Sequence, residues 1–222
     1  EQRYVAEQVN SSPMVPQGRA LAVPVAMAFQ AMAYGNRPKP RRGKATDFRF
    51  ESAFDTNGIL HHIGTCGGTA AYRNPHELGE VVASSSSLAS GAALERFVQH
   101  AHATPVNNFT TDVIGGWLGV DLGEGRSLVV DHYCLRSDKY GNHNKLRNWE
   151  LQGSLDGQTW QTLRTHQGDA SLSSQAMSTA AWPVDAGAQA FRHFRILQTG
   201  VNSTNMHFLM CTGIELYGRA IR

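Results

Sequence analysis

The sequence has little charge of either sign and no marked excess of acids or bases. Charged residues make up 17% of the 222 residues, and the formal net charge is +2 at pH 7. Such a small charge does not favour nucleic acid, whose phosphates select strongly basic surfaces. The basic residues are concentrated in the segment RPKPRRGK at residues 37–44, which is typical of a linker, with an anionic partner as the alternative. We therefore predict no nucleic-acid partner.

Cysteine is scarce, and the three cysteines lie far apart in the sequence. Cys66, Cys134 and Cys211 show no CxxC spacing. An odd number of cysteines without a repeating framework indicates reduced thiols rather than a disulfide scaffold. This pattern predicts an intracellular location, either cytoplasmic or nuclear.

Long apolar runs are also missing. The most apolar stretch, ALAVPVAMAFQAMA at residues 20–33, is interrupted by Pro24 and Gln30. Nothing approaches the ~20 apolar residues that a helix needs to cross a bilayer. The stretch could be the apolar part of a secretory signal, but it starts far from the first residue. We predict no membrane span.

The first 45 residues differ in composition and hydrophobic pattern from the rest of the chain. They carry several prolines and little hydrophobic periodicity, which is typical of extended or irregular structure. After them, short apolar segments alternate with Gly, Asn, Asp and Ser. We predict an irregular N-terminal arm and basic linker over residues 1–45, followed by one domain over residues 46–222.

Several segments of the second part have the features of β-strands. In WLGVDLG, at residues 117–123, Leu118, Val120 and Leu122 alternate onto one face. In LRNWELQGSLDGQTWQTLRTH, at residues 146–166, the Asp-Gly pair predicts a hairpin turn between two strands. Further strands are predicted at residues 80–86, 127–136, 191–200 and 213–218. The residues expected to face the core from these strands are Trp149, Leu151, Phe194, Ile196, Ile214 and Leu216.

One helix is predicted, over residues 88–101, because Leu94, Phe97 and Val98 have helical spacing. Many short strands, one helix and no βαβ alternation indicate an all-β fold, an antiparallel β-sandwich. Trp182, which precedes a proline, is expected to be partly exposed at a strand end. The tryptophans expected to pack in the core are Trp117, Trp149 and Trp160.

The order of these segments resembles the galactose-binding-like, or discoidin (F5/8 type C), family of jelly-roll domains. The resemblance rests on WLGVDLG, the paired-tryptophan segment at residues 146–166, FRHFRILQTG at residues 191–200 and GIELYG at residues 213–218. Within that family, the chain is most similar to the intracellular variant found in BTB-domain proteins and HECT-type ubiquitin ligases. The motifs shared with that variant are FDTNGILHHIGT, YRNP and LRNW, at residues 54–65, 72–75 and 146–149.

The resemblance implies an eight-stranded jelly roll that binds partners through loops at one end and performs no chemistry. Extracellular relatives recognise sugars or phospholipid head groups, whereas intracellular relatives recognise protein segments. This sequence lacks the cysteines that would staple the two ends of a secreted domain, and it lacks obvious aromatic spikes for membrane insertion. Both departures weaken the sugar and lipid interpretations.

A binding surface is predicted in the loop at residues 135–148, which combines guanidinium donors with an aromatic ring, a combination suited to a carboxylate-bearing or extended peptide. The family analogy brings the YRNP motif and residues 200–208 to the same end of the fold. For Arg147 a structural role, paired with an acid inside the sandwich, is an equal alternative. The predicted partner-binding residues are Arg73, Asn74, Arg136, Lys139, Tyr140, His143, Arg147, Asn202 and His207.

A cofactor is not expected, with one exception. Many galactose-binding-like domains hold a calcium ion with loop carbonyls and a carboxylate, and Asp55 and Asn57 lie in a suitable DTNG turn. A solvated turn without metal is the alternative. Zinc is not expected, because His61 and His62 are adjacent and would face opposite sides of a strand.

Catalytic motifs are not found. No GxSxG segment marks a nucleophile, and the glycine-rich GTCGGTA at residues 64–70 lacks the Lys-Ser/Thr end of a phosphate loop. Asp121, Asp131 and His132 could form a triad only if the fold brought them together. We therefore predict that the domain is not an enzyme.

The sequence predicts a non-catalytic module that binds a protein or peptide through loops at one end of the sandwich. The setting expected for it is an intracellular scaffold or a ubiquitin-ligase assembly. The alternatives are a carbohydrate-binding module of a secreted protein, with a glycan as its partner, and a structural subunit of a large complex.

Overall fold

The computed structural model describes residues 45–185 and 187–221, so nearly all of the predicted N-terminal arm and linker lies outside the described residues. The described residues form nine strands, one α-helix (α1, Ile59–Gly64) and one 3₁₀ helix (Leu94–Val98). The strands are β1 (Thr46–Phe48), β2 (Val82–Ser85), β3 (Trp117–Asp121), β4 (Ser127–Arg136), β5 (Trp149–Ser154), β6 (Gln161–His166), β7 (Thr179–Pro183), β8 (His193–Gln198) and β9 (Gly213–Ile221).

The strands form two sheets with antiparallel pairing throughout. One sheet has the strand order β1-β9-β4-β7 and the other has the order β2-β3-β8-β5-β6. The predicted all-β antiparallel sandwich is therefore confirmed. The described residues contain one strand more than the eight that the resemblance implied.

The core lies between the inner faces of the two sheets, as the alternation predicts. Leu118 and Val120 of β3 pair with Ile196 and Phe194 of β8, and all four side chains are buried. Ile214 and Leu216 of β9, from the other sheet, are also buried. Alternating inward residues from both sheets make up the interior of a sandwich of this kind.

The buried residues of β4 do not keep a strict two-residue alternation. The pairing of β4 with β9 shifts register between Val130 and His132. Leu128 and Val130 are buried before this irregularity, and Tyr133 and Leu135 are buried after it. A bulge of this kind changes the parity of the strand, so a strict two-residue period fails.

The predicted hairpin at residues 156 and 157 is confirmed. Gly157 has φ +71°, a left-handed conformation that glycine adopts without strain. The Asp156 side chain accepts hydrogen bonds from the backbone N–H groups of Thr159 and Gln158, at 2.7 and 2.8 Å. These donors stabilise the carboxylate and hold the pKa of Asp156 below its usual value.

The helix predicted over residues 88–101 is wrong in extent. Only Leu94–Val98 is helical there, as a 3₁₀ helix flanked by extended residues. Gly91 has φ +83°, which an α-helix does not accommodate, so the chain turns before the buried Phe97 and Val98 are reached. The apolar residues do have helical spacing, but the short 3₁₀ helix is enough to account for it.

The α-helix lies instead at Ile59–Gly64, where we expected His61 and His62 in a strand. Its first turn has no side-chain cap from its own neighbours. Glu215, near the start of β9, accepts hydrogen bonds from the backbone N–H groups of Leu60 and His61 at 2.8 and 3.0 Å. The helix is therefore capped by a residue 155 positions away, which sequence periodicity could not reveal.

Three of the four tryptophan assignments are wrong. Trp149 is fully buried, as predicted, but Trp117 and Trp160 are only half-buried. Trp182, which we expected to be partly exposed, is buried. The Arg195 guanidinium carbon lies 4.2 Å from the centroid of the Trp160 ring and 5.8 Å from that of Trp117. The two half-buried indoles thus flank an arginine rather than filling the core.

Candidate binding rim

The long loops of the sandwich lie at one end. The strand register places the ends of β4, β6 and β8 beside the starts of β7, β5 and β9. We call this end the long-loop end, and its loops comprise residues 86–116, 137–148, 167–178 and 199–212. The opposite, short-loop end carries residues 122–126, 155–160, 184–185 and 187–192.

Asn202 organises the loop between β8 and β9 and is buried. Its side-chain oxygen accepts the backbone N–H groups of Thr204 and Met206, at 3.0 and 3.2 Å. Its amide nitrogen donates to the Phe208 carbonyl and to the Asn144 side chain in the neighbouring loop. These contacts give Asn202 the role of a clamp between loops, with its polar atoms turned away from solvent.

Arg147 has the structural role that was one of its two alternatives. Its Nη1 donates to the backbone carbonyls of Leu146, Asp169 and Leu172, at 3.0 to 3.1 Å. The acceptors are carbonyl oxygens rather than the carboxylate that we expected. Arg147 therefore fastens the loop before β5 to the loop after β6.

A buried ion pair lies beneath the loop at residues 137–148 and was not predicted. Lys145 is 1% exposed, and its Nζ lies 3.6 Å from Asp138 Oδ1. Nζ also donates to Ser137 Oγ at 2.9 Å and to the Tyr140 carbonyl at 2.6 Å. Burial lowers the pKa of Lys145 and raises that of Asp138. The pair fixes the base of the loop that carries Lys139 and Tyr140.

Arg136 is also committed to the fold. It is 8% exposed, its guanidinium carbon lies 3.8 Å from the centroid of the Phe54 ring, and it donates to two backbone carbonyls. The acceptors are Gln99 O at 3.3 Å and His100 O at 2.6 Å. Burial lowers the pKa of Arg136 from its usual value. These contacts attach the segment after the 3₁₀ helix to β4.

We expect the substitution Arg136→Met to lower the free energy of unfolding by about 2–4 kcal/mol, because both carbonyls lose their donor and the stacking on Phe54 is lost. Urea denaturation of the two proteins measures this difference. Lys139→Met is the matched control, because the Lys139 side chain is exposed and the change should stay within about 0.5 kcal/mol. Equal stability of the two variants would return Arg136 to the list of binding residues.

The YRNP residues lie beside the 3₁₀ helix. The Asn74 amide donates to the Glu95 carbonyl at 2.8 Å and to Gln99 Oε1 at 2.6 Å. Arg73 is exposed and lines a depression of about 320 Å³ together with Asn74. The contacts of Asn74 are with the 3₁₀ helix, so the structure does not bring it together with Tyr140 or His143.

The exposed part of the long-loop end contains most of the remaining predicted residues. Lys139 N–H donates to the Val106 carbonyl, Tyr140 OH accepts from Asn107 at 3.4 Å, and His207 N–H donates to the Asp112 carboxylate. These bonds connect the three loops to one another. We use the name rim surface for the exposed and part-exposed predicted or apolar side chains of these loops, which are Val113, Ile114, Lys139, Tyr140, His143, Met206 and His207.

The rim surface is notable for exposed apolar side chains, which sequence reasoning missed. Ile114 is 84% exposed, and Val113, Tyr140 and Met206 are 47%, 42% and 38% exposed. Loop residues without strand or helix periodicity give no sequence signal that distinguishes an outward apolar side chain from an inward one. Several apolar side chains exposed on the loops at one end of a fold are a feature of interaction surfaces.

The chain matches no protein-family model. It is 36% identical over 180 residues to the E3 ubiquitin-protein ligase hecd-1 of Caenorhabditis elegans and 36% identical over 183 residues to the E3 ubiquitin-protein ligase Ufd4 of Drosophila melanogaster. It is 33% identical over 199 residues to a BTB/POZ domain-containing protein of Arabidopsis thaliana. The matches cover 80–83% of this chain but 7%, 7% and 24% of the three proteins, respectively, so the chain spans a small part of each relative.

Two solved structures are similar in fold. A SusE-like protein has a TM-score of 0.52 at 15% identity, over 65% of this chain and 66% of its own. A fucolectin from the serum of striped bass, Morone saxatilis, has a TM-score of 0.50 at 12% identity, over 64% of this chain and 47% of its own. The fold is that of the galactose-binding-like, discoidin-type domains. The similarity to ubiquitin ligases and a BTB protein confirms the resemblance to the intracellular variant.

The turn that could hold calcium in this discoidin-type domain uses its carboxylate internally. Asp55 Oδ2 accepts the backbone N–H groups of Glu51 and Ser52, both at 2.9 Å, and Oδ1 accepts that of Asn57 at 2.8 Å. Both oxygens therefore accept backbone donors of the turn itself, and the possible calcium ion stays a prediction. Across residues 45–185 and 187–221, no cluster of three or more His, Cys, Asp or Glu could hold a metal ion.

The residues of the conceivable triad belong to different sheets. Asp121, on β3, receives two hydrogen bonds from Arg192, at 2.6 and 2.7 Å. Asp131 and His132 lie on β4 and contact each other at 3.1 Å. The structure thus does not assemble the three groups. The described residues also include no helix long and apolar enough to cross a membrane.

Proposed function

We propose that this discoidin-type domain is a non-catalytic module that binds a protein partner through the rim surface. Its setting is an intracellular scaffold or ubiquitin-ligase assembly. The proposal is supported most directly by one observation: apolar side chains are held exposed on loops that buried polar contacts make rigid.

The rim surface has the composition of a protein contact. Ile114 and Val113 supply aliphatic area, and Tyr140 supplies an aromatic ring with a polar end. The Lys139 ammonium lies 5.3 Å from the centroid of that ring, and Lys139 and His143 are both exposed. Hot spots of protein interfaces typically combine an apolar centre of this kind with a polar edge.

The interior polar groups support a binding role rather than catalysis. Glu215 accepts hydrogen bonds from N–H groups of α1. Lys145 donates to a carbonyl of its own loop, and Arg136 donates to backbone carbonyls. A catalytic group has to reach a substrate from a cleft. These groups instead have protein partners inside the fold, and their burial rigidifies the loops.

The relatives point to the same class of partner. Two of them are E3 ubiquitin-protein ligases and one is a BTB/POZ domain-containing protein. Assemblies of these kinds depend on protein contacts, and the three cysteines show no disulfide framework that would indicate a secreted domain. The ligase activity of the relatives remains a property of those much longer proteins.

A glycan is the second candidate, favoured by the fold shared with a fucolectin. Sugar sites commonly present an aromatic face beside hydrogen-bonding side chains. Tyr140 with Asn107 and His143 could supply such a face at the rim. The apolar excess contributed by Ile114, Val113 and Met206 favours a protein over a sugar.

The test is the double substitution Ile114→Asp with Tyr140→Ala in the 222-residue chain. Proteins captured from a cytosolic extract by the wild-type chain should be lost by at least about tenfold in quantitative mass spectrometry, because hot-spot truncation costs about 2 kcal/mol or more. Leu155→Asp is the matched control. Leu155 is 63% exposed but lies at the short-loop end, so its substitution should leave capture unchanged.

The control and a glycan array separate the two candidates. Melting temperatures of both variants should stay near that of the wild type, because all three positions are exposed. Equal loss of capture in the Leu155 control would remove the rim surface from the proposal. Selective sugar binding that the double substitution abolishes would favour the glycan candidate instead.

A further inference from the structure

The sandwich has two lateral seams where edge strands of the two sheets approach each other. At the seam of β6 and β7, Arg164 Nη1 donates to the Pro183 carbonyl at 2.6 Å and bridges the edges. At the other seam, His76 Nδ1 accepts the backbone N–H of Ala83 in β2 at 3.3 Å. Edges covered in this way resist further strand pairing.

The remaining strand of that second seam, β1, has an open edge among the described residues. Thr46, Asp47 and Phe48 pair with Ala220, Arg219 and Gly218 of β9 on one side. Within residues 45–185 and 187–221, the structure shows no strand, side chain or backbone group bonded to the other side of β1. An edge strand in this state presents unpaired main-chain donors and acceptors.

Two depressions lie along this edge. One, of about 520 Å³, is lined by Thr46, His62, Ile63, Cys66, Gly67, Glu80 and Arg126. The other, of about 380 Å³, also contains Thr46 and His62 and continues past Asp47 and Phe48 to Glu51. Because the two share Thr46 and His62, they form one groove beside β1.

The chemistry of the larger depression selects a neutral side chain. Among the described residues that line it, Glu80 and Arg126 are ionic, and they form an ion pair with each other. Ile63 supplies an apolar wall, and Gly67 has no side chain to fill the space. A charged ligand group would have to break the ion pair to gain a partner, whereas an apolar group of moderate size would not.

We propose that the β1 edge binds an extended peptide segment of a partner protein, which adds a strand to β1 and places one apolar side chain in the Ile63 depression. Main-chain bonds of this kind supply affinity, and pockets for alternate side chains supply specificity. The site is separate from the rim surface, so it gives the domain a second, independent point of attachment.

Cys66 provides a built-in reporter for this site. Its thiol is exposed and lines the depression. Cys134 and Cys211 are buried, and burial raises the pKa of each thiol to about 12, which keeps both unreactive near neutral pH. Alkylation of the native 222-residue chain by iodoacetamide therefore follows Cys66.

The experiment selects peptides from a phage-displayed random dodecapeptide library against the 222-residue chain and then uses one selected peptide in synthetic form. The variant Thr46→Trp fills the groove from β1 and should weaken binding by at least about tenfold. Thr179→Trp is the matched control, because Thr179 also begins an edge strand of the same sheet and is exposed. His62→Trp, on the opposite wall, is a second blocking variant whose folding is checked by its melting temperature.

Saturating peptide should slow the alkylation of Cys66 by about tenfold or more in the wild type and in Thr179→Trp. Failure to select any peptide, unchanged binding to both blocking variants, or unprotected Cys66 in the complex would each overturn the proposal. Protection of Cys66 before any peptide is added, with a chemical cross-link from Cys66 to Lys39, would identify the N-terminal segment of this chain as the occupant. That outcome would also overturn the proposal that a partner protein occupies the site.

Discussion

Replacing Tyr133 with Phe is expected to lower the free energy of unfolding by about 3–5 kcal/mol, although only one oxygen atom is removed. Tyr133 OH accepts the indole N–H of Trp149 at 2.9 Å and lies 2.7 Å from His166 Nε2. Because Trp149 can only donate, the Tyr133 hydroxyl hydrogen is free to donate to His166. The phenylalanine variant leaves a buried donor and a buried acceptor without partners at once.

The chain of bonds continues from His166 to the surface. His166 Nδ1 donates to Asp169 Oδ2 at 2.7 Å, and the indole N–H of Trp182 donates to the same oxygen at 2.9 Å. Burial lowers the pKa of His166, so the ring is neutral with its proton on Nδ1. Every polar atom of this chain has a partner, and the removal of a middle member therefore costs more than one hydrogen bond.

Tyr217→Phe is the matched control for this prediction. Tyr217 is as deeply buried as Tyr133, but its hydroxyl makes only long contacts, at 3.7 Å with Cys134 Sγ and 3.4 Å with the Ser52 carbonyl. Its loss should cost about 1 kcal/mol or less. Urea denaturation of the two variants measures the difference. Equal losses of stability would mean that the Tyr133 hydroxyl contributes no more than the weakly bonded Tyr217 hydroxyl.

The strands and their inward faces could be predicted because each is decided by neighbours along the chain. Leu118 and Val120, or Phe194 and Ile196, alternate with polar residues, and two-residue alternation is a local property. The helix α1 could not be predicted, because it depends on a residue that is far away in the sequence. The first turn of α1 depends on the Glu215 side chain, which reaches it across the fold.

The binding residues were harder to predict than the fold. A polar residue in a loop can either bond to groups inside the fold or face solvent, and its residue type does not distinguish the two roles. Asn202 and Arg136 turn their polar atoms to backbone groups inside the fold, whereas Lys139 faces solvent. Burial separates the two roles, and burial in loops follows no sequence period. The exposed Ile114 shows the same difficulty for an apolar side chain.

The second large effect expected is a stability maximum near pH 6.5, which arises from two opposing sets of buried groups. On the acid side, burial lowers the pKa of five histidines from 6.5, and that of His100 to about 4. The other four are His61, His102, His166 and His193. Below pH 6.5 the unfolded chain takes up protons that the folded chain does not, so stability falls as the pH falls.

On the alkaline side, Glu215 acts in the opposite direction. Burial raises its pKa from 4.5 to about 8, so the folded state holds a proton between these values that the unfolded state has released. This contribution is complete below pH 4.5 and is lost as the pH rises through 8. His100 Nδ1 makes no hydrogen bond among the described residues and lies 4.0 Å from Glu215 Oε2, which is farther than a hydrogen bond reaches.

Between about pH 6.5 and 8, Glu215 therefore makes the fold more stable as the pH falls, and below about pH 6.5 the five histidines outweigh it. From about pH 6.5 to 4.5 we expect a net loss of roughly 2 kcal/mol or more, reduced by solvent screening of the part-exposed rings. Urea titrations across this range measure both limbs.

Glu215→Gln isolates the alkaline limb, because glutamine retains the side-chain oxygen that accepts the Leu60 N–H but has no proton to release. The variant should show nearly constant stability between about pH 6.5 and 8, while its acid limb remains. Glu124→Gln, at an exposed loop position, should keep the pH profile of the wild type. An alkaline limb that persists in Glu215→Gln would show that this carboxyl is already ionised in the fold and that its three backbone N–H donors, Leu60, His61 and Leu216, outweigh its burial.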